Sequence, residues 1–224
     1  MRTTITGADV LDMLDKVATD MEGRKDELCA LDAAIGDGDQ GVTMAIGFRA
    51  IRKGLLALRD QDIGTIVTKS GLTFNGAAAS TIGALFATAC LRAGREVKGR
   101  QEVGLAEVAQ MLEAALLGIQ ERGKAQLGDK TVLDALAPAV EAARAAARAG
   151  APLMDGLRQA VAAAEAGLKS TIPMKSKIGR AAWIADRTVG HQDPGATSFY
   201  LMFKAAVDHL AGRPDHEGAT EENR

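Results

Sequence analysis

Apolar residues recur along the chain at the spacing of amphipathic helices. Val10, Leu14, Val17 and Met21 are separated by 4, 3 and 4 positions and follow Thr6, a residue type that often caps a helix start. This pattern predicts a helix over 7–25. The same periodicity predicts seven further helices, at 42–59, 62–73, 80–93, 104–122, 131–149, 153–170 and 195–211, and no strand.

The composition supports a helical fold. Aromatic residues make up only 3% of the chain, whereas alanine occupies 43 of its 224 positions. Sheets favour aromatic and β-branched residues, and alanine is the strongest helix former. With 47% hydrophobic and 25% charged residues, the chain is typical of globular proteins. We therefore expect an all-α protein with one domain over 1–212 and a polar, disordered tail over 213–224.

Charge and cysteine content exclude several classes of protein. The net charge of -2 gives no general attraction for nucleic acid or an anionic membrane. Cys29 and Cys90 form neither a disulfide framework nor a zinc signature. No apolar run reaches 18 residues, and the first residues lack the pattern of a signal peptide. We expect a cytoplasmic protein that binds no nucleic acid directly and no membrane.

The segment LDAAIGDGDQGVTM contains three closely spaced carboxylates. Asp32, Asp37 and Asp39 lie within eight positions, with glycines between and around them. Glycine allows the backbone to fold these side chains inward, and hard divalent ions such as Mg²⁺ prefer oxygen ligands. We predict a metal site at the end of a short helical segment, with a solvated turn as the alternative.

Three familiar motifs do not fit these residues. An EF-hand starting at Asp37 needs glycine and glutamate where Val42 and Phe48 stand. The GxGxxG match at 36–41 follows no predicted strand, and its aspartates would repel a pyrophosphate that lacks a metal. GIQERGKA, at 118–125, ends in alanine where a P-loop needs a hydroxyl.

Two other segments are suited to an anion. NGAAASTIGALF, at 75–86, begins a helix with small residues, and a phosphate could bind the exposed N–H groups of such a start. Tight helix packing explains the same composition. GRAAWIADRTVGHQDPGATS, at 179–198, contains Arg180, Arg187 and His191. Arginine presents a fork of donors that matches phosphate, whereas a surface salt-bridge loop is the alternative.

Together, LDAAIGDGDQG, GKAQLGDKTVLDAL and GRAAWIADRTVGHQDPGATS resemble the L subunit of dihydroxyacetone kinase, in matching order over residues 28–203. The resemblance implies an eight-helix antiparallel α-barrel with a nucleotide bound by loops at one end. It implies that two Mg²⁺ ions, held by Asp32, Asp37 and Asp39, bridge the phosphates of ADP or ATP. The implied nucleotide-binding residues are Gln40, Gly41, Val42, Thr43, Thr81, Ile82, Gly123, Val132, Arg180, Asp193, Pro194 and Gly195, and Arg180 is the implied catalytic residue.

One position and one short run of residues depart from the family pattern. Gln40 stands where many relatives have histidine, which affects the expected phosphate contacts. Ala79, Ser80, Thr81, Ile82 and Gly83 replace a run of the Gly-Gly-Ala-Ser-Gly type. The second change would reshape the wall that faces the substrate. The substrate could therefore be a related short ketose such as erythrulose instead of dihydroxyacetone.

The resemblance also implies partners. The ketose is held on a separate K subunit, and the phosphoryl group comes either from ATP or from a phosphotransferase-system M subunit that recharges bound ADP. Some L subunits also contact a transcription regulator, so a nucleotide-loaded regulatory protein is an alternative to a kinase subunit. Another branch of the family produces acyl phosphates instead of sugar phosphates.

Overall fold

The computed structural model describes residues 2–213, except for the side chain of Arg180. Within these residues nearly all of the regular secondary structure is helical, which confirms the predicted all-α class. The α-helices are α1 (Gly7–Gly23), α2 (Lys25–Ile35), α3 (Gln40–Gly54), α4 (Ile63–Ala77), α5 (Thr81–Glu96), α6 (Leu105–Gly123), α7 (Leu133–Arg148), α8 (Leu153–Ser170) and α9 (Pro194–Ala211). Two 3-10 helices cover Leu55–Leu58 and Arg180–Thr188.

Two short strands correct the prediction that no strand would form. β1 (Ile5–Thr6) pairs antiparallel with β2 (Glu102–Val103), and Ile5 faces Val103. Strands of two residues are too short to show the alternation of apolar and polar positions that identifies a strand in a sequence. The pair joins the segment before α1 to the segment before α6.

Eight of the described α-helices form a closed ring. In the order α1, α3, α4, α5, α6, α7, α8 and α9, each helix packs against the next, and α9 packs against α1. Consecutive helices joined by short connections reverse direction. Arg213, two residues after the end of α9, pairs with Asp12 in the first half of α1, so the last and first helices of the ring are also antiparallel. This arrangement agrees with the predicted eight-helix antiparallel barrel, while α2 packs on α3 and α9 without joining the ring.

Small side chains allow the helices of the ring to approach closely. Ala139 and Ala143 of α7 are fully buried in one cluster with Ala160 and Ala164 of α8. A Cβ atom at Gly167 would lie 2.2 Å from the carbonyl oxygen of Asp134, far inside van der Waals contact. The high alanine content of the sequence therefore has a packing role in the ring.

The ring has two different ends. At one end β1 and β2 lie beside the starts of α1, α4 and α6, where Gly7 N donates to Gln101 O (3.1 Å) and Ile63 N to Arg100 O (2.9 Å). At the other end are α2 and the starts of α3, α5, α7 and α9, which we call the carboxylate end because Asp32, Asp37 and Asp39 lie there. No helix among residues 2–213 is long and apolar enough to cross a membrane.

Candidate functional site

The three predicted metal ligands meet in one cluster. Asp32 lies in the last turn of α2, and Asp37 and Asp39 follow in the short connection to α3. One carboxylate oxygen from each lies within 4.8 Å of the others. Asp37 and Asp39 are exposed, and Asp32 is the least exposed of the three. Because like charges at this distance repel, the cluster is suited to a divalent cation with oxygen ligands.

The glycines around the cluster are required by its geometry. A Cβ atom at Gly36 would lie 2.3 Å from Asp32 Oδ1. Gly38 has a φ of +76°, a left-handed conformation that side chains disfavour. At Gly41, a Cβ atom would lie 1.9 Å from the carbonyl oxygen of Lys25. The glycines therefore let α2 and α3 pack together while the loop between them turns its carboxylates to one side.

Gln40 connects this loop to the start of α9. Its side chain is only 5% exposed, and its Nε2 donates to the carbonyl oxygen of Pro194 (2.5 Å) and to Ser198 Oγ (2.6 Å). Its backbone N–H donates to Asp32 Oδ2 (3.2 Å). Gln40 thus holds the carboxylate loop against α9, and its contact with a nucleotide stays a prediction.

The start of α5 leaves backbone donors available for an anion. Ser80 caps this helix, with its Oγ accepting from Gly83 N (3.0 Å). Thr81 and Ile82 follow as the first two helical residues, whose N–H groups have no acceptor within the helix. The partial positive charge of a helix start favours a phosphate at this point. Gly123, at the end of neighbouring α6, lies against Leu85 of α5.

Asp193 caps α9 at the same end of the ring. Its Oδ2 accepts from Ala196 N (2.7 Å), and its own N–H donates to Thr171 Oγ1 (3.0 Å). Burial raises the pKa of this carboxyl to about 7, so the group exchanges its proton near neutrality. Gly195 packs beside Val132, where an added Cβ would lie 3.5 Å from the backbone nitrogen.

Two buried residues lie near the start of α7 without being among the predicted site residues: Lys130 in the connection before the helix and Asp134 in its first turn. Asp134 accepts from Gly128 N (2.6 Å) through Oδ1 and from Thr131 N (2.8 Å) through Oδ2. Lys130 is only 2% exposed, and burial lowers its pKa. Both lie in GKAQLGDKTVLDAL, but the spacing of this segment does not distinguish a buried lysine from an exposed one.

The structure therefore gathers the predicted residues at one end without testing their roles. Gly41, Val42 and Thr43 follow Gln40 in the first turn of α3, and the side chain of Gln40 links this turn to Pro194. The side chain of Arg180 lies outside the described part of the structure, as do residues 214–224 of the predicted tail. The assigned metal, nucleotide and catalytic roles stay predictions.

Eight of the described helices form an all-α ring. One end of this ring carries a carboxylate cluster and several helix starts, a combination that suits a domain binding an anion together with a metal ion. The DAK2 domain model matches residues 34–208. The chain belongs to the DAK2 domain family, which confirms the resemblance found in its motifs.

Relatives of known name match most of the chain. The ADP-binding subunit DhaL of the PEP-dependent dihydroxyacetone kinase of Escherichia coli (strain K12) is 34% identical over 177 residues, covering 79% of this chain and 84% of the relative. The corresponding subunit of dihydroxyacetone kinase 2 of Listeria innocua is 36% identical over 192 residues, covering 85% of this chain and 88% of the relative. The L-erythrulose 1-kinase of Mycolicibacterium smegmatis is 33% identical over 205 residues, which are 90% of this chain and 35% of that enzyme.

A solved structure has the same fold. The dihydroxyacetone kinase from C. freundii, in complex with AMP-PNP and Mg²⁺, superimposes with a TM-score of 0.69 at 26% identity. The match covers 93% of this chain and 35% of that chain. The helical architecture described above is therefore shared with a domain of a nucleotide-bound kinase.

Proposed function

We propose that this chain is the nucleotide-binding L subunit of a dihydroxyacetone-type kinase. In this role it binds ADP or ATP with Mg²⁺ and transfers a phosphoryl group to a short ketose held on a separate K subunit. The observation that carries the proposal is the cluster of Asp32, Asp37 and Asp39, with carboxylate oxygens within 4.8 Å. It lies at the end of the ring where four helices begin. The names of the E. coli and L. innocua relatives support the assignment.

The residues of the chain would act by holding and orienting the phosphates. Asp32, Asp37 and Asp39 would hold two Mg²⁺ ions, which neutralise phosphate charge when bound. The first turns of α3 and α5 supply N–H groups toward the same anion. Phosphoryl transfer depends mainly on such positioning and charge stabilisation and needs no protein nucleophile. Arg180 would add positive charge near the transferred group.

The phosphoryl source and the ketose are finer parts of the proposal. We favour bound ADP that is rephosphorylated by a phosphotransferase-system M subunit, because the similar subunits of E. coli and L. innocua are described as PEP-dependent and ADP-binding. Dihydroxyacetone is the first candidate substrate. Erythrulose is the second, supported by the likeness to an L-erythrulose 1-kinase and by the altered run Ala79–Gly83.

A matched pair of variants tests the carboxylate site. We expect Asp37→Asn to lower Mg²⁺-dependent ADP affinity at least about tenfold, because two remaining carboxylates hold divalent ions poorly. Asp26→Asn is the control, since Asp26 is an almost fully exposed aspartate of α2. Calorimetry with ADP, with and without Mg²⁺, measures the effect. Equal affinities in Mg²⁺ for wild type and Asp37→Asn would refute the metal assignment.

The same proteins then test the reaction. Each is combined with candidate K subunits and a panel of short ketoses, once with ATP and once with phosphoenolpyruvate plus the phosphotransferase proteins. We expect sugar phosphate from wild type and Asp26→Asn and a matching loss for Asp37→Asn. Tight ADP binding with no sugar phosphate under either condition would reject the kinase role and favour a regulatory one.

A further inference from the structure

Lys130 makes an unusual set of contacts for a lysine. Its ammonium group is buried and donates to three backbone carbonyls, those of Met174 (3.1 Å), His191 (2.8 Å) and Thr188. The backbone at Lys130 is left-handed, with a φ of +61°, which is disfavoured for a residue with a side chain. The local backbone therefore adopts an unfavourable conformation that directs this charge inward.

All three acceptors belong to one segment. Residues 171–193, here called the cover, connect α8 to α9 at the carboxylate end. The 3-10 helix Arg180–Thr188 within the cover packs against α2, the helix that carries Asp32. Met174 lies near the start of the cover, and Thr188 and His191 lie near its end. The ammonium group of Lys130 therefore links the two ends of the cover to each other and to the connection before α7.

The other hydrogen bonds of the cover are mostly between residues of the cover itself. Ser176 N donates to Thr188 Oγ1 (3.0 Å), and Gly190 N donates to Ile172 O (2.8 Å). A further bond to the rest of the chain runs from Lys177 N to Asp129 O (3.2 Å), next to Lys130. Hydrogen bonds from a charged donor are stronger than neutral ones, and buried carbonyls left without a donor are costly.

We propose that Lys130 is a positioning residue that holds the cover closed over the nucleotide end and so slows the release of bound nucleotide. The inference rests on the proposed nucleotide-binding function. Lys130 acts through the cover, by donating to three of its backbone carbonyls. It is distinct from the carboxylate cluster, which holds the metal.

Three variants separate this role from general stability. Lys130→Met keeps most of the side-chain volume but removes the positive charge and the N–H donors. Lys130→Arg keeps the positive charge and the N–H donors. Lys124→Met is the matched control, because Lys124 lies in the same connection with a φ of 54° but is exposed. Circular dichroism and thermal unfolding check that each variant is folded.

Two measurements follow the cover. Hydrogen exchange without nucleotide reports its protection, and Trp183, the single tryptophan of the chain and 91% exposed, allows energy transfer to fluorescent mant-ADP in Mg²⁺. We expect Lys130→Met to exchange faster in residues 171–193 and to release mant-ADP about tenfold faster. The reason is that the variant destabilises the closed position of the cover relative to an open one. Lys130→Arg should restore most of the protection, and Lys124→Met should match wild type.

Each result decides the inference. Unchanged exchange and release in Lys130→Met would overturn it, as would faster exchange spread equally over α4, α5 and α6, since Lys130 would then support the ring instead of the cover. If wild type binds no nucleotide, the proposed function fails, whereas local loss of protection in 171–193 still shows that Lys130 holds the cover. The two failures are therefore distinguishable.

Discussion

Asp193 combines a helix cap with an unusual proton affinity. Its carboxylate accepts from Ala196 N at the start of α9, yet burial raises its pKa from an ordinary value of 3.8 to about 7, and the nearby charge of Asp134 acts in the same direction. Between these two values the native protein retains a proton that the unfolded chain releases. The free energy of unfolding must therefore fall as the pH rises from about 4 to about 7.

We expect Asp193→Asn to remove this pH dependence. Asparagine also caps helices, so the variant keeps the hydrogen bond without titrating. From pH 5 to pH 8, wild type should lose about 2 kcal/mol more of its unfolding free energy than the variant does. Urea unfolding at both pH values, without nucleotide, measures the difference. Parallel losses in the two proteins would contradict the raised pKa.

Single residues also show what the sequence could reveal. Asp32, Asp37 and Asp39 were recognisable because three carboxylates among glycines form a local pattern, and the structure brings them together. Lys130 was not recognisable because its three acceptors are 44 to 61 positions away. A lysine is ordinarily exposed, and only the tertiary fold determines which one is buried.

At the scale of elements, the contact between α2 and α3 sets the position of the carboxylate loop. Gly41 lies against the backbone of α2, where a Cβ atom would be 1.9 Å from Lys25 O and 2.8 Å from Cys29 Sγ. A side chain there would push the two helices apart. Since Gln40 and Asp32 are hydrogen-bonded across this contact, any shift would be transmitted to the cluster of Asp32, Asp37 and Asp39.

We expect Gly41→Ala to destabilise the protein by about 1–3 kcal/mol and to weaken Mg²⁺-dependent ADP binding. Gly54→Ala, in the last turn of the same helix, is the control, because no atom beyond its own neighbours and helix backbone lies within 4 Å of its added Cβ. It should be neutral or slightly stabilising. Thermal unfolding and calorimetry measure both properties, and equal behaviour of the two variants would show that the close contact has no such role.

The long amphipathic helices were predictable, but the short elements between them were not. Repeated apolar positions such as Val10, Leu14 and Val17 identify α1 because several turns bury the same face. The 3-10 helix Arg180–Thr188, in contrast, interrupts its helical geometry at Ile184, so it has no sustained periodicity. The segment between the predicted helices 153–170 and 195–211 is thus a folded cover, held in part by contacts distant in sequence.

For the whole molecule, the carboxylate cluster and a group of purely structural hydrogen bonds lie at opposite ends of the ring. At the end with β1 and β2, Asp62 caps α4 by accepting from Thr65 N (3.1 Å) and also accepts from Gly99 N (2.8 Å). These bonds lower the pKa of Asp62, with the Thr65 side chain as the main cause. Nothing in this group faces the carboxylate end.

We expect Asp62→Ala to cost about 1–2 kcal/mol of stability through the lost cap. Mg²⁺-dependent ADP affinity should stay within about twofold of wild type, because distant, independent sites rarely couple. Chemical unfolding and calorimetry on the same preparation provide both values. A loss of affinity as large as that of Gly41→Ala would show that the two ends of the ring are coupled.

The closure of the ring also determines where attachments can be made. Arg2 and Arg213, near the two limits of the described chain, both pair with Asp9 at the start of α1 (2.8 Å and 3.9 Å). Both limits therefore lie at the end opposite the carboxylates. An affinity tag, a surface anchor or a fluorescent protein joined beyond either residue would leave the carboxylate end facing solution, open to a partner protein.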